Sequence, residues 1–293
     1  MPVSAPNLLL VASRITHPKI AATTLEISTR EAEDDTAFAA RLLALATRLE
    51  FLRTQILLRR YLPAPPAQVL DVGGGSGVYA SWLAGLGYQV HLVDPVPLHR
   101  QQAARLGGFT VSAGDGRDLA QADASADAVL LLGPLYHLTS RADRLRALTE
   151  ARRVARPGGI VVAAAISRYA SLLDGYLVGY VDRPGFASLM REDLRTGQHR
   201  NHANEPGLFT TAYFHDRDGL AAEVTDAGLR LIAVLPVEGP LHWAPGIRDR
   251  LAHPDQRQLI LDCLAALEQD PAMAGATSHL LAIGTRPSLP QED

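Results

Sequence analysis

The sequence predicts an α/β fold built on a doubly wound, mostly parallel sheet. Two observations carry that prediction. After the prolines at 63, 65 and 66, short apolar runs of strand length alternate with stretches of helical length, the pattern of a parallel sheet wrapped by helices. Where the first run ends, in "LDVGGGSGVYA" at residues 70–80, glycines gather between a buried strand and a helix. In such sheets the crossovers are right-handed, and ligands lie outside the carboxyl ends of the strands.

Each element follows from local pattern. Residues 31–61 read as a helix, because Phe38, Leu42, Leu45, Leu49, Leu52 and Ile56 recur at intervals of four and three and line one face. That face is expected to pack on the main domain, and the prolines stop the helix. The strands "QVLDV", "QVHLVD", "FTVSAG", "DAVLLLG" and "GIVVAAAI" follow, with helices at 77–86, 96–106 and 140–155. Residues 167–210 break the alternation with an irregular mix of Gly, Pro, His and Tyr, and read as a lid inserted over the strand ends. A helix at 216–227, the strand "LRLIAVLPV", a helical stretch at 245–269 and the strand "HLLAIGT" complete a seven-stranded sheet. The expected division is an N-terminal helical lid segment, 1–64, and a domain at 65–293 carrying the insertion. The ends, 1–25 and 287–293, are expected to be loosely ordered.

Composition narrows the function. The chain has 293 residues, 47% hydrophobic and 20% charged, enough to bury a core. A formal net charge of −3 supplies no basic excess for nucleic acid. Cys263, the single cysteine, excludes an intramolecular disulfide framework and suits a reducing cytoplasm. No apolar stretch approaches the roughly 18 residues of a membrane span, and "NLLLVA" lacks the length and basic flank of a signal peptide. A cytoplasmic monomer or homodimer with a small-molecule substrate is therefore expected. All but one of the 28 basic residues are arginine. Lys19 stands outside any motif, so neither a P-loop, nor a Tyr-x-x-x-Lys dehydrogenase site, nor lysine Schiff-base chemistry can be built.

The glycine run points to a ligand loop. Glycine lets a backbone turn approach a ligand, and the helix that follows offers unpaired N–H donors. Gly73-x-Gly75-x-Gly77, with Gly74 between, fits an S-adenosylmethionine loop, while residues 75–80 also fit the dinucleotide pattern G-x-G-x-x-A. A nicotinamide oxidoreductase is thus an alternative, as is a non-catalytic cofactor-binding protein. Asp71, Asp94 and Asp115 end three successive strands, "LLLGPLYHL" ends the fourth, and "ARPGGIVVAAAI" opens the fifth. Over about residues 65–235 this combination resembles the class I S-adenosylmethionine-dependent methyltransferases, of Rossmann-like fold.

The resemblance implies roles. Asp71 and the glycine loop would hold the methionine part of S-adenosylmethionine, and Asp94, with Pro95, the ribose. Asp115, with Gly116 and Arg117, would hold adenine, and Gly133 to His137 would border the transferring methyl, leaving S-adenosylhomocysteine as product. Enzymes that methylate a flipped base amine usually carry Asn/Asp-Pro-Pro-Tyr/Phe after the fourth strand. Gly133 and Leu135 depart from that pattern, which disfavours such a substrate. Segments including "GPLYHL", "ISRYASLLDG", "TGQHRN" and "FTTAYFH" also look like a group of bacterial methyltransferases. Some of its members work on natural products, including indole carbons of tryptophan-derived cyclic dipeptides.

Methyl transfer from a sulfonium needs positioning and exclusion of water, and a base only if the acceptor must lose a proton. His137, beside Tyr136, is the first candidate for that base, and His215, ahead of a helix that Asp216 can cap, is the second. Tyr169, Tyr213, Phe214, His242 and Trp243 are candidates for an aromatic substrate wall. Arg48 and Glu50 reach the cleft only if the N-terminal helix crosses it. His199 and His202 lack a carboxylate or cysteine partner at ligand spacing, so they read as solvated loop residues and no metal site is expected. Tyr176 and Tyr180 read as packing within the insertion, and His279 as structural.

Overall fold

The computed structural model describes residues 49–177, 179–201 and 211–288. The expectations for residues 1–48, including Phe38, Leu42, Leu45 and Arg48, and for His202 lie outside them.

The elements run in the expected order. Helix α1 (Leu49–Tyr61) buries Leu57 and Leu58 and turns Arg59 and Arg60 outward. Then come β1 (Gln68–Val72), α2 (Val78–Gly85), β2 (Gln89–Val93), α3 (Pro97–Leu106), β3 (Thr110–Ser112) and β4 (Ala126–Leu131). A single turn, α4 (Pro134–His137), starts on a proline, which suits a first helical position where no N–H partner is needed. It leads into α5 (Arg141–Val154) and the long β5 (Ala155–Ser167).

The segment after β5 is more regular than its composition suggests. It forms α6 (Ala170–Leu177), α7 (Phe186–Thr196) and β6 (Gln198–Arg200), and β6 pairs antiparallel with β7 (Thr211–His215). The remainder is α8 (Arg217–Asp226), β8 (Arg230–Pro236), α9 (Ile247–Ala252), α10 (Pro254–Leu267) and β9 (His279–Thr285). The Asp216 carboxylate caps α8, accepting from the Gly219 N–H at 2.6 Å. The helical stretch expected over 245–269 divides at Pro254, whose ring removes a donor and crowds the preceding turn.

Strands β3-β2-β1-β4-β5 lie side by side and parallel, and β9 inserts antiparallel between β5 and β8. These are the seven expected strands. The β6–β7 hairpin raises the sheet to nine. Strand β7 pairs with β5 at Ile166 and Ser167, beyond the last β4 partner at Ala163. Both faces of the sheet are covered, which explains the near-continuous apolar strands. On one face α5 and α8 supply Ala147, Leu148, Leu220 and Val224, and on the other α1 and α2 supply Leu57, Leu58, Ala80 and Leu83. Among the described residues no helix is long and apolar enough to cross a membrane.

Candidate active site

The glycine loop is fixed by torsion and by space. Gly73, Gly75 and Gly77 take φ of +64°, +59° and +81°, values that strain other residues. A Cβ on Gly74 would stand 2.5 Å from Asp71 Oδ2 and 2.6 Å from Leu92 Cδ1, and one on Gly73 would stand 2.7 Å from Pro134 Cγ. The Gly73 N–H donates to the Val93 carbonyl at 2.7 Å, and the Gly75 N–H donates to Asp94 Oδ2 at 2.9 Å. Helix α2 begins directly after the loop, at Val78. The ends of β1 and β2 and the α4 turn thus form one rim.

Buried Asp94 is held from several sides. Its Oδ1 accepts from the Val96 N–H at 2.9 Å and faces His99 Nδ1 at 3.2 Å, and its carbonyl accepts from Arg100 Nη1 at 2.9 Å. Burial alone would raise its pKa, but His99 and the Val96 and Gly75 amides outweigh that and hold the carboxyl below its usual range. Pro95 lies exposed beside it. After β3 the chain again comes close: a Cβ on Gly114 would meet Val93 Cγ1 at 2.6 Å, and one on Gly116 would meet Val72 Cγ1 at 3.0 Å. Here Asp115 is clasped by Arg117, with Nη2 donating to Oδ2 at 2.6 Å and the backbone N–H donating to Oδ1 at 2.9 Å. Arg117 also bridges to Asp143 at 3.3 Å.

The end of β4 closes on the loop. A Cβ on Gly133 would lie 3.1 Å from the Gly73 carbonyl oxygen and 3.6 Å from the Tyr136 hydroxyl. Tyr136 is buried, and burial, with the Glu50 charge, raises its pKa. Its ring centroid is 4.7 Å from that of His137. His137 presents its outer side to solvent. Desolvation and the neighbouring His99 lower its pKa to about 4, against the opposing charge of Asp94.

The opposite wall comes from both ends of the described chain. Arg53 anchors α1, donating to Glu268 Oε2 at 2.5 Å and to the Val237 carbonyl at 3.2 Å. Glu50, one turn earlier, thereby approaches Glu238, just past β8, and His279, the first residue of β9. Glu238 Oε1 lies 2.5 Å from His279 Nδ1, while its Oε2 accepts from Thr277 Oγ1 at 3.0 Å and from the His279 N–H at 3.1 Å. Burial alone would lower the His279 pKa, but the charges of Glu238 and Glu50 raise it to about 10. Nearby, Trp243 Nε1 donates to Asp174 Oδ1 at 2.9 Å, Ser278 Oγ donates to Asp174 Oδ2 at 3.1 Å, and His242 Nε2 is 3.7 Å from Asp174. Tyr169 remains 40% exposed, its ring against Gly275.

Other candidates are committed elsewhere. His215 is buried and turns Nε2 toward Glu223 at 3.1 Å. Tyr213 lies under the Arg144 guanidinium, 3.5 Å from its ring centre, and Phe214 stacks on His199 at 4.9 Å. His199, expected in a solvated loop, is instead buried on β6 and faces Asp193 Oδ2 at 2.8 Å, because the hairpin carries it inward. Tyr176, expected to pack, is 67% exposed. Sequence spacing missed Glu238 and His279, whose partnership exists only once β8 and β9 lie side by side. The available sign was the "EGP" and "SHLL" segments at the same end of neighbouring strands.

A family model described as a methyltransferase domain matches residues 70–163. An uncharacterized methyltransferase of Mycobacterium sp. (strain JLS) is 33% identical over 189 residues, covering 62% of this chain and 71% of its own length. A ubiquinone biosynthesis O-methyltransferase of Cereibacter sphaeroides is 31% identical over 136 residues, 41% of this chain and 52% of its own. Among solved structures, a methyltransferase of Methanosarcina mazei described as S-adenosylmethionine-dependent superposes with a TM-score of 0.55 at 16% identity, covering 80% of this chain and 98% of its own. A possible histamine N-methyltransferase of Thermotoga maritima gives 0.53 at 16% identity, covering 90% and 100%. With the glycine cradle and the strand order in place, these likenesses establish that the chain belongs to the class I S-adenosylmethionine-dependent methyltransferases.

Proposed function

We propose that this enzyme methylates a small aromatic metabolite. In this reading Asp71 and Gly73, Gly74, Gly75 and Gly77 hold the methionine portion of the cofactor. Asp94 and Pro95 hold the ribose, and Asp115, Gly116 and Arg117 hold adenine. The loop fits that group, because its backbone approaches are closed to any Cβ and helix α2 starts behind it. When bound, S-adenosylmethionine supplies an electrophilic methyl on a sulfonium.

One observation carries the placement of the chemistry: Gly73 and the Gly133–His137 turn are in direct contact. A turn that touches the methionine end of the cradle also borders the methyl. Tyr136 and His137 then flank the acceptor, while Tyr169, His242 and Trp243 face it from the insertion and the segment after β8. The lowered pKa of His137 leaves its imidazole neutral near pH 7, the form that accepts a proton. Tyr136, with its raised pKa, stays a neutral donor that orients the acceptor. His215, Tyr213 and Phe214 belong to the buried packing around Glu223 and His199 and take no part in transfer. The described part of the insertion, with α6 and α7, excludes water from the acceptor in this reading.

Mass spectrometry of aromatic metabolites, including tryptophan-derived cyclic dipeptides with an indole carbon as acceptor, incubated with enzyme and methyl-labelled cofactor tests the reading. Label on an aromatic acceptor is expected. His137→Ala should slow transfer by about 10²–10⁴-fold while S-adenosylhomocysteine still binds. Label confined to aliphatic acceptors, or turnover unchanged by the substitution, would count against it.

A further inference from the structure

The geometry points to a divalent-cation site formed by Glu50, Glu238 and His279. One ligand atom from each, two carboxylate oxygens and an imidazole nitrogen, lies within 4.8 Å of the others. The three residues come from α1, from the segment just past β8 and from the first position of β9. No sequence spacing joins them.

Two features distinguish the cluster from an incidental group of charges. The donor set suits first-row divalent cations, for which imidazole with carboxylates is a common combination. Each donor is also held from behind. Glu238 is bound by the Thr277 hydroxyl and the His279 N–H. His279 is fixed by its register opposite Ile166, and Glu50 by the Arg53 anchor one turn along α1. Such outer contacts orient ligands before a cation arrives.

A bound cation takes the place of the proton shared between His279 Nδ1 and Glu238 Oε1, and that proton leaves to solvent. The site lies on the cleft side of the sheet, within reach of the charge effects felt by Tyr136 and Tyr79. There the cation serves as a Lewis acid for an oxygen or nitrogen of the acceptor. That use rests on the methyl-transfer reading, whereas cation binding itself does not.

The test uses the full chain, freed of metal by chelation and titrated with Zn²⁺ by calorimetry and with Mn²⁺ by electron paramagnetic resonance. One saturable site is expected, weakened by at least about tenfold in Glu50→Gln and in His279→Gln, with S-adenosylhomocysteine binding retained in both. That retention shows that the variants are folded. Absence of saturable binding of either ion, or binding unchanged by the two substitutions together, overturns the site. Failure of wild-type protein to bind S-adenosylhomocysteine would instead count against the cofactor assignments and leave the cation result standing.

Discussion

Arg144 and Glu223, 79 residues apart in the chain, meet in a buried two-pronged pair, with Nη2 2.7 Å from Oε1 and Nε 2.9 Å from Oε2. The same guanidinium donates to the carbonyls of Leu138 and Thr139 at 2.8 and 3.0 Å. The end of the "GPLYHL" turn is therefore held by α5 and α8. Glu223→Leu strands a buried cation and should cost ~3–5 kcal/mol, read from the denaturant midpoint. Adding Arg144→Met should recover much of that loss; a double variant no more stable than Glu223→Leu would show that the pair is not the anchor.

The same cluster sets an acid limit on stability. Burial lowers the His215 pKa below 6.5. Burial alone would raise that of Glu223, but His215 and Arg144 outweigh it and hold the group at about 2 against an ordinary 4.5. Both values are depressed on folding, so the unfolded chain takes up these protons first. The contribution of His215 is complete above pH 6.5 and declines below it, and that of Glu223 declines from 4.5 toward 2. Thermal melts from pH 8 to 4 should show Tm falling below pH 6.5, with the upper part of the fall reduced in His215→Gln, His137 supplying a share of what remains. A Tm that rises on acidification below pH 6.5 contradicts this account.

Glycines separate by what surrounds them. Gly74→Ala drives a methyl into Asp71 and Leu92 and should cost ~1–3 kcal/mol through overpacking, with a larger proportional loss in S-adenosylhomocysteine affinity. A Cβ on Gly85, in the last turn of α2, meets nothing within 4 Å. Gly85→Ala should stabilise the protein by ~0.4–1 kcal/mol and leave cofactor binding unchanged. Calorimetry on the two variants makes the comparison directly.

Helix α1 depends on one carboxylate. Glu268 accepts from Arg53 and Arg60 together, and Arg53 is buried. Glu268→Gln leaves that guanidinium without its charge partner and should cost ~3–5 kcal/mol. Limited proteolysis should cleave around α1 before the sheet opens. Cleavage first within β4 or β5 would refute this order.

The sheet was legible because strand–helix alternation is a local signal, and the Asp71, Asp94 and glycine positions because they occur at strand ends. What stayed hidden depends on contacts between distant residues. The β6–β7 hairpin is only three and five residues long, too short for periodicity to stand out. His215 and His199 look alike in sequence to a catalytic histidine and a loop histidine, yet both are buried against carboxylates, Glu223 and Asp193. Asp115 was legible as a strand-end carboxylate, but its clasp by Arg117 needed coordinates.

Strand β9 enters the middle of the sheet, between β5 and β8, although it is made after both. On the ribosome, a nascent chain that has not yet exposed His279 carries two open strand edges and an unfinished cleft wall. Such edges recruit other chains. Translation therefore delivers the strands around the glycine loop well before the strand that begins at His279 and closes the gap between β5 and β8.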